Sequence, residues 1–292
     1  MAHPIVVGVD GSPSALDAVR WAAREAVRRK LLLRLVHVYS TPVGLPGGII
    51  EPAVVEKALR VQGRRWLDDA AQVASEVSPA LKPALVLVAA SVVPAMIKES
   101  VTGSLLVLGT RGLGGFTELM IGSTAVLLAG RAHCPLVVVR GDEPEHGPVV
   151  VGVDGLPTSE EAVAFAFAEA SAHGADLVAV HTWADPVIDT ILLGHPEPLD
   201  FEPAQQRAYE TLAERLAGWQ EKYPDVHVIR EVVRDHPSRA LLRHADGARL
   251  VVVGTRGRGG FSGLVLGSTG QHLLHHSPCP VAVVRTEPES RE

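Results

Sequence analysis

The run GTRGLGGFTELMIGST, residues 109–124, returns 145 positions further on as GTRGRGGFSGLVLGST, residues 254–269. Glycine lets a backbone turn with positive φ and approach a ligand closely. Each run ends in Gly-Ser-Thr where a helix is expected to begin, offering hydroxyls and the first helical N–H groups, which have no intrahelical partner. Together these residue types form an anion cradle. The first copy contributes Gly109, Thr110, Arg111, Gly112, Leu113, Gly114 and Gly115, then Gly122, Ser123 and Thr124. The second contributes Gly254, Thr255, Arg256, Gly257, Arg258, Gly259 and Gly260, then Gly267, Ser268 and Thr269. A simple strand-to-helix turn with Ser123 or Ser268 as N-cap needs one glycine and one serine rather than five glycines. Arg111, Arg256 and Arg258 are either solvated charges or, beside phosphates, donors of charge-assisted hydrogen bonds. Two familiar phosphate loops are excluded. There is no G-x-x-x-x-G-K-[ST], and neither run has the G-x-G-x-x-G spacing directly after a first strand. No serine of the runs neighbours a His or Asp in a nucleophile motif, so no catalytic residue is assigned and binding is expected rather than turnover.

The elements that position these runs recur with them. IVVGVDGSPSALDAVRWAA at Ile5 reappears as VVVGVDGLPTSEEAVAFAF at Val149, His37 matches His181 and Cys134 matches Cys279. The chain is a tandem duplication, with one domain over residues 1–140, a polar Pro- and Gly-containing linker over 141–148 and a second domain over 149–292. Short Val/Leu/Ile runs alternate with helical patterns in each half, the signature of a parallel sheet flanked by helices. The fold class is therefore α/β: two tandem doubly wound domains, each a five-stranded parallel sheet flanked by helices. Strands are expected near 5–9, 32–38, 85–90, 104–108 and 135–140, and near 149–153, 176–183, 226–233, 249–253 and 280–285. Residues 15–29 place Leu16, Val19, Ala23 and Ala26 on one helical face, and 204–219 place Ala208, Leu212, Arg215, Leu216 and Trp219 on another. Each glycine run follows the fourth strand of its half, at the carboxyl edge where doubly wound sheets take ligands.

Composition narrows the class of partner. The formal charge of −6, with no basic block, argues against a nucleic-acid or anionic-membrane surface. No apolar run is long enough to span a bilayer, and the start lacks a signal-peptide pattern, so a cytoplasmic protein is expected. The two cysteines read as small apolar residues at the start of buried strands rather than as a disulfide. His37 and His181 end buried strands without a matching ligand at metal spacing, which favours packing and gives no metal site.

The spacing Gly109-x2-Gly112-x9-Gly122-Ser123, repeated from Gly254, resembles the ATP-binding branch of the universal stress protein family in its tandem two-domain form. The likeness covers essentially the whole chain, including VGVDGSP at the first strand and the C-P-x-x-V-V of the last. It implies an adenine nucleotide in each half, with phosphates on the glycine run and the base against the ends of the first two strands. ATP, with Mg²⁺ on its phosphates, is the implied cofactor, and cyclic AMP is an alternative on the same pocket. Asp10 and Asp154 fall where the family has an acidic residue near the ribose or Mg²⁺; equally, each closes an Asp-Gly-x-Pro turn, and the two roles are compatible. Gly8 and Gly152 would let the nucleotide lie close to the first strand, or serve close packing there. Val38 and Thr182 sit where the family packs adenine.

The halves are not identical. Ser12 becomes Leu156, removing an N-cap, and Thr41 becomes Asp185, an acceptor for an adenine amino group or a ribose hydroxyl. Val92-Val93-Pro94 is paired with Asp235-His236-Pro237. The family pairs its last strands across a two-fold axis, so Leu136–Arg140 and Val281–Arg285 are expected to make an internal pseudo-dimer, with a homodimer of the whole chain compatible. The implied role is regulatory: nucleotide state controls conformation, self-association or a protein partner. The alternative is a slow ATP hydrolase or phosphotransfer enzyme, for which only the loop arginines and Asp10 or Asp154 are candidates, since neither loop carries a lysine.

Overall fold

The computed structural model describes residues 3–40, 51–110, 122–141, 144, 146–183, 201–255, 257 and 266–285. The chain divides into two units, 1–140 and 141–292.

In the first unit the described elements are β1 (Ile5–Gly8), α1 (Pro13–Arg29), β2 (Leu33–Tyr39), α2 (Pro52–Val77), β3 (Ala84–Ala89), α3 (Val92–Thr102), β4 (Leu105–Gly109), α4 (Ser123–Ala129) and β5 (Leu136–Val139). The strands lie in the order β3-β2-β1-β4-β5, all parallel. The chain therefore leaves β1 in one direction through β2 and β3, then returns to the other side of β1 for β4 and β5. That reversal puts a switch point between β1 and β4, where the loops leaving the two strands part and open a crevice.

The local reasons are plain in the residues. Ile5, Val6, Val7, Leu105, Leu106 and Val107 are fully buried, as strands covered on both faces require. In α1, Ser12 caps the start by accepting from the Ala15 N–H at 3.2 Å, and Pro13 occupies the first turn, where a missing N–H costs nothing. Val19, Ala23 and Ala26 of the expected face are buried and Leu16 is half-buried, while Ala15, Ala18 and Ala22 widen the buried stripe. Small side chains there let the helix lie close to β1 and β4.

The second unit repeats the plan with β6 (Val149–Gly152), a 3₁₀ turn (Pro157–Ser159), α5 (Glu160–His173), β7 (Leu177–Thr182), α6 (Glu202–Leu216), α7 (Trp219–Lys222), β8 (Val228–Val233), α8 (Pro237–Ala245), β9 (Leu250–Gly254), α9 (Ser268–His276) and β10 (Val281–Val284). Its parallel order is β8-β7-β6-β9-β10. Loss of the Ser12 hydroxyl at Leu156 has a visible effect. No side chain caps the start, and the first turn tightens into 3₁₀ before α5 begins at Glu160.

Two sequence expectations change. The helix expected over 204–219 stops at Leu216, and Gly218, at φ +80°, turns the chain before α7. The break swings Trp219 and Tyr223 against Phe167, with ring centroids 5.9 and 5.8 Å away. The pairing of Val92-Val93-Pro94 with Asp235-His236-Pro237 is also corrected. β3 and β8 set the register, with His37 opposite Leu87 and His181 opposite Val232. Ser91 and His236 are then the equivalent N-cap residues, and Ala90-Ser91-Val92 corresponds to Asp235-His236-Pro237. Asp235, just before that N-cap, pairs with Arg239 and Arg243 of the helix that follows it, α8. Among the described residues no helix is long and apolar enough to cross a membrane.

Candidate functional site

At the first unit's switch point a cavity of about 200 Å³ opens between the ends of β1, β2 and β4 and the helices α3 and α4. Gly8, Asp10, Val38, Gly109, Thr110, Gly122 and Thr124, all singled out from sequence, line it together. Ser123 is the first residue of α4 beside them. Residues more than a hundred positions apart meet because β1 and β4 are neighbours. The ends of the glycine run are tied at its base, where the Gly122 N–H donates to the Thr110 carbonyl at 3.0 Å.

The glycines differ in what they are for. A Cβ on Gly109 would lie 2.4 Å from the Ser14 carbonyl oxygen and 2.5 Å from its carbon, so β4 ends against the first turn of α1 and only glycine fits. Among the described residues Gly122 meets no such constraint. Its backbone is at φ −62°, ψ 136°, and the nearest of their atoms to an added Cβ is the Thr110 oxygen, 3.9 Å away. Gly122 lines the cavity, and no packing contact among the described residues demands glycine there. Gly122 rather than Ser123 is the N-cap residue, and Gly267 rather than Ser268 in the second unit, with no side-chain cap bond at either, so the simple serine N-cap is excluded.

Asp10 does close its turn. Its Oδ1 accepts from the Ser12 N–H at 3.0 Å and the Ser12 hydroxyl at 2.6 Å, which fixes the carboxylate at the cavity mouth. The turn role and a place on the cavity wall thus coexist. In the second unit Asp154 Oδ1 accepts from the Leu156 N–H at 2.9 Å, while Oδ2 lies 3.4 Å from the Cβ position of Gly257, which sets the carboxylate against the second glycine run. Gly267 N–H donates to the Thr255 carbonyl at 2.8 Å, repeating the tie. Gly152 packs beside Leu241 of α8, Thr182 ends β7, Gly254 ends β9, and Ser268 and Thr269 open α9. Arg111, Gly112, Leu113, Gly114, Gly115, Asp185, Arg256, Arg258, Gly259 and Gly260 lie outside the described residues.

The apolar wall was missed from sequence. Val36, Val92, Met96 and Leu108 complete the cavity with Ala15 and Ala125. Met96 carries the only usable signal, a long side chain on the buried face of the helix that covers Gly8. His37 and His181 are core residues, buried, each donating from Nδ1 to the carbonyl of Val9 or Val153 at 2.7 Å. Cys134 and Cys279 are buried free thiols. Desolvation pushes the Cys134 thiol up to about 12, against the lowering effect of nearby backbone N–H groups.

Two doubly wound units, each with a glycine run following its fourth strand at the switch point, define the class of this protein. The universal stress protein family matches residues 1–140 and again 146–285. The chain is 41% identical over 289 residues to the universal stress protein Rv2623 of Mycobacterium tuberculosis, covering 96% of each. It is 41% identical over 291 residues to Rv2005c of the same organism, covering 97% of each. Among solved structures, a universal stress protein from Archaeoglobus fulgidus superposes with a TM-score of 0.68 at 18% identity, over 97% of this chain and 96% of that one, a likeness of fold. The chain belongs to the universal stress protein family, as two family domains in tandem.

Proposed function

We propose that this chain is an adenine-nucleotide-binding regulatory protein of the stress-response type, with one nucleotide site in each unit and ATP, carrying Mg²⁺ on its phosphates, as the ligand. The observation that carries this reading is the convergence at the first switch point. An apolar wall of Val36, Val38, Val92, Met96 and Leu108 suits a flat base, and Asp10, Thr110, Gly122 and Thr124 supply polar contacts beside it. Asp10 would face a ribose hydroxyl or the phosphate-bound metal, and the glycine run the phosphates. In the second unit Asp154 beside Gly257, with Thr182, Gly254 and Thr269, would take the same parts.

Asp10 holds its turn through Oδ1 and the fixed Ser12 hydroxyl, a positioning role rather than that of a base moving a proton. Bound ATP would persist, with turnover on the order of hours per event rather than the roughly 1 per second at the low end of ordinary enzymes. Nucleotide occupancy would set the conformation of the glycine runs and so the surface offered to a protein partner. The apolar last strand fits the same proposal, since residues 1–141 expressed alone would dimerise through 136–140 to cover it.

The test is to denature freshly purified protein and identify the released small molecules by mass spectrometry, then titrate stripped protein calorimetrically with ATP, AMP and cyclic AMP. An adenine nucleotide in the released fraction and two ATP per chain are expected. Tighter binding of cyclic AMP than ATP would change the ligand, and no nucleotide in either experiment would end the proposal.

A further inference from the structure

Helix α2 of the first unit has 26 residues, about 39 Å of helix, and the fold buries one side of it. Gly63, Leu67, Ala70 and Ala74 form that buried seam. On the opposite side helical spacing lines up Val54, Val61, Arg64, Arg65, Asp68 and Asp69, all exposed. Val54 and Val61 are 56% and 65% exposed, so apolar surface runs down the middle of this outer face.

Charge on the face is sorted by position. Lys57, Arg64 and Arg65 occupy its first half and Asp68, Asp69 and Glu76 its second, with the change of sign between Trp66 and Leu67. Glu56, the one acidic residue in the first half of the helix, falls off this face by the same spacing. A helix built this way is complementary to itself when reversed. In an antiparallel pair about a two-fold axis between positions 66 and 67, the basic half of each copy lies along the acidic half of the other. Residues four apart share a flank of a helix, so Arg64 comes opposite the partner's Asp68 on one side of the seam and Arg65 opposite the partner's Asp69 on the other. The axis repeats both contacts and covers Val61 with the partner's Gln72. Within one chain the same charges are weakly engaged. Arg64 Nε and Asp68 Oδ1 are 3.8 Å apart, with both side chains 60% exposed, and Arg65 and Asp69 make no ion pair among the described residues.

The second unit lacks the device. Leu67 of α2 and Leu212 of α6, both fully buried, lie 145 positions apart, the spacing that also relates β3 to β8. The positions of Arg64, Arg65, Asp68 and Asp69 are then taken by Tyr209, Glu210, Ala213 and Glu214. Such a face carries one sign of charge at these positions and repels its own copy.

We infer that the outer face of α2 is a self-association surface, and that its partner is the same face of a second copy of this chain, held antiparallel by the Arg–Asp pairs. A single helix pair lies at the low end of interface size and exposed ion pairs contribute little singly, so the dimer is weak and sensitive to salt.

The full-length chain is followed by sedimentation velocity up to about 0.2 mM, where a Kd of roughly 10–100 µM is readable. Raising NaCl from about 0.1 to about 1 M, which shortens the Debye length from about 10 to about 3 Å, should weaken the dimer about tenfold or more. Arg64→Glu with Arg65→Glu makes these positions wholly acidic, and Asp68→Lys with Asp69→Lys makes them wholly basic. Each double variant alone should stay monomeric. An equimolar mixture of the two should dimerise, because every facing pair is again of opposite sign. The four changes combined in one chain restore the pairing within and between helices, so that variant should dimerise like the parent, and it keeps the test open if like charges at i, i+4 unfold either double variant. A parent that stays monomeric at about 0.2 mM, including one that is monomeric yet retained on heparin, would overturn the assignment. So would a dimer that persists in both double variants, or a mixture and a fourfold variant that remain monomeric.

Discussion

Replacing Gly122 by glutamate separates ligand binding from folding in a way the structure makes quantitative. At φ −62° an L-residue is unstrained, and among the described residues the nearest atom to its Cβ is 3.9 Å away, so none of their backbone has to move for the side chain to enter the cavity. Losing glycine at an N-cap costs up to about 1 kcal/mol, and a carboxylate at the first helical turn returns about 0.3–1 kcal/mol, so stability should hardly change. Binding should change greatly. A carboxylate about 5 Å from a phosphate charge, at an effective dielectric of about 20, costs roughly 3 kcal/mol, about a hundredfold in Kd before the lost volume is counted. Gly109→Ala is the contrasting control, because its Cβ would strike the backbone of Ser14 and should destabilise the first unit by about 1–3 kcal/mol. Urea melts and ATP calorimetry on both variants are the assay. Gly122→Glu should melt like the parent and bind one ATP instead of two, whereas Gly109→Ala should melt early. Two ATP bound by Gly122→Glu, or a parental melt for Gly109→Ala, would refute the division of labour between the two glycines.

Gly267→Glu should remove the other site alone, with calorimetric stoichiometry again falling to one. Arg256→Ala should weaken ATP about tenfold or more while leaving AMP nearly unchanged, since a charge-assisted contact to a β- or γ-phosphate contributes about 1.5–3 kcal/mol; equal losses for ATP and AMP would place the guanidinium elsewhere. Cys134, with its thiol at about 12, should resist alkylation at pH 8 in the folded chain and label at once in denaturant, and fast native labelling would contradict its burial. At Asp235 desolvation opposes ionisation, but the His236 N–H, Arg243 and Arg239 outweigh it and hold the carboxyl below its ordinary 3.8. Its contribution is therefore present above pH 3.8 and lost as pH falls through the lower folded value, so Asp235→Asn should destabilise at neutral pH and converge on the parent in strong acid. A deficit that persists unchanged through acid unfolding would show that the ion pairs are not its source.

Much of the fold is written locally. Buried parallel strands need apolar residues on both faces, so IVVG, LLVLG and LVVV stand out as continuous runs, and the duplication states each of them twice. The glycine runs were legible for the same reason, because a loop that must approach a ligand or a neighbouring backbone closely constrains residue type at each position. What local pattern cannot carry is which distant segments meet. Strand order alone brings Gly8 and Asp10 to Thr110 and Gly122, and it selects Val92, Met96 and Leu108 as the wall, residues that look like any other core. Gly109 and Gly122 are the same letter in one motif, yet the contact with Ser14 makes one a packing glycine, whereas no contact among the described residues requires glycine at the other. The helix break at Gly218 follows from where Phe167 can receive Trp219 and Tyr223.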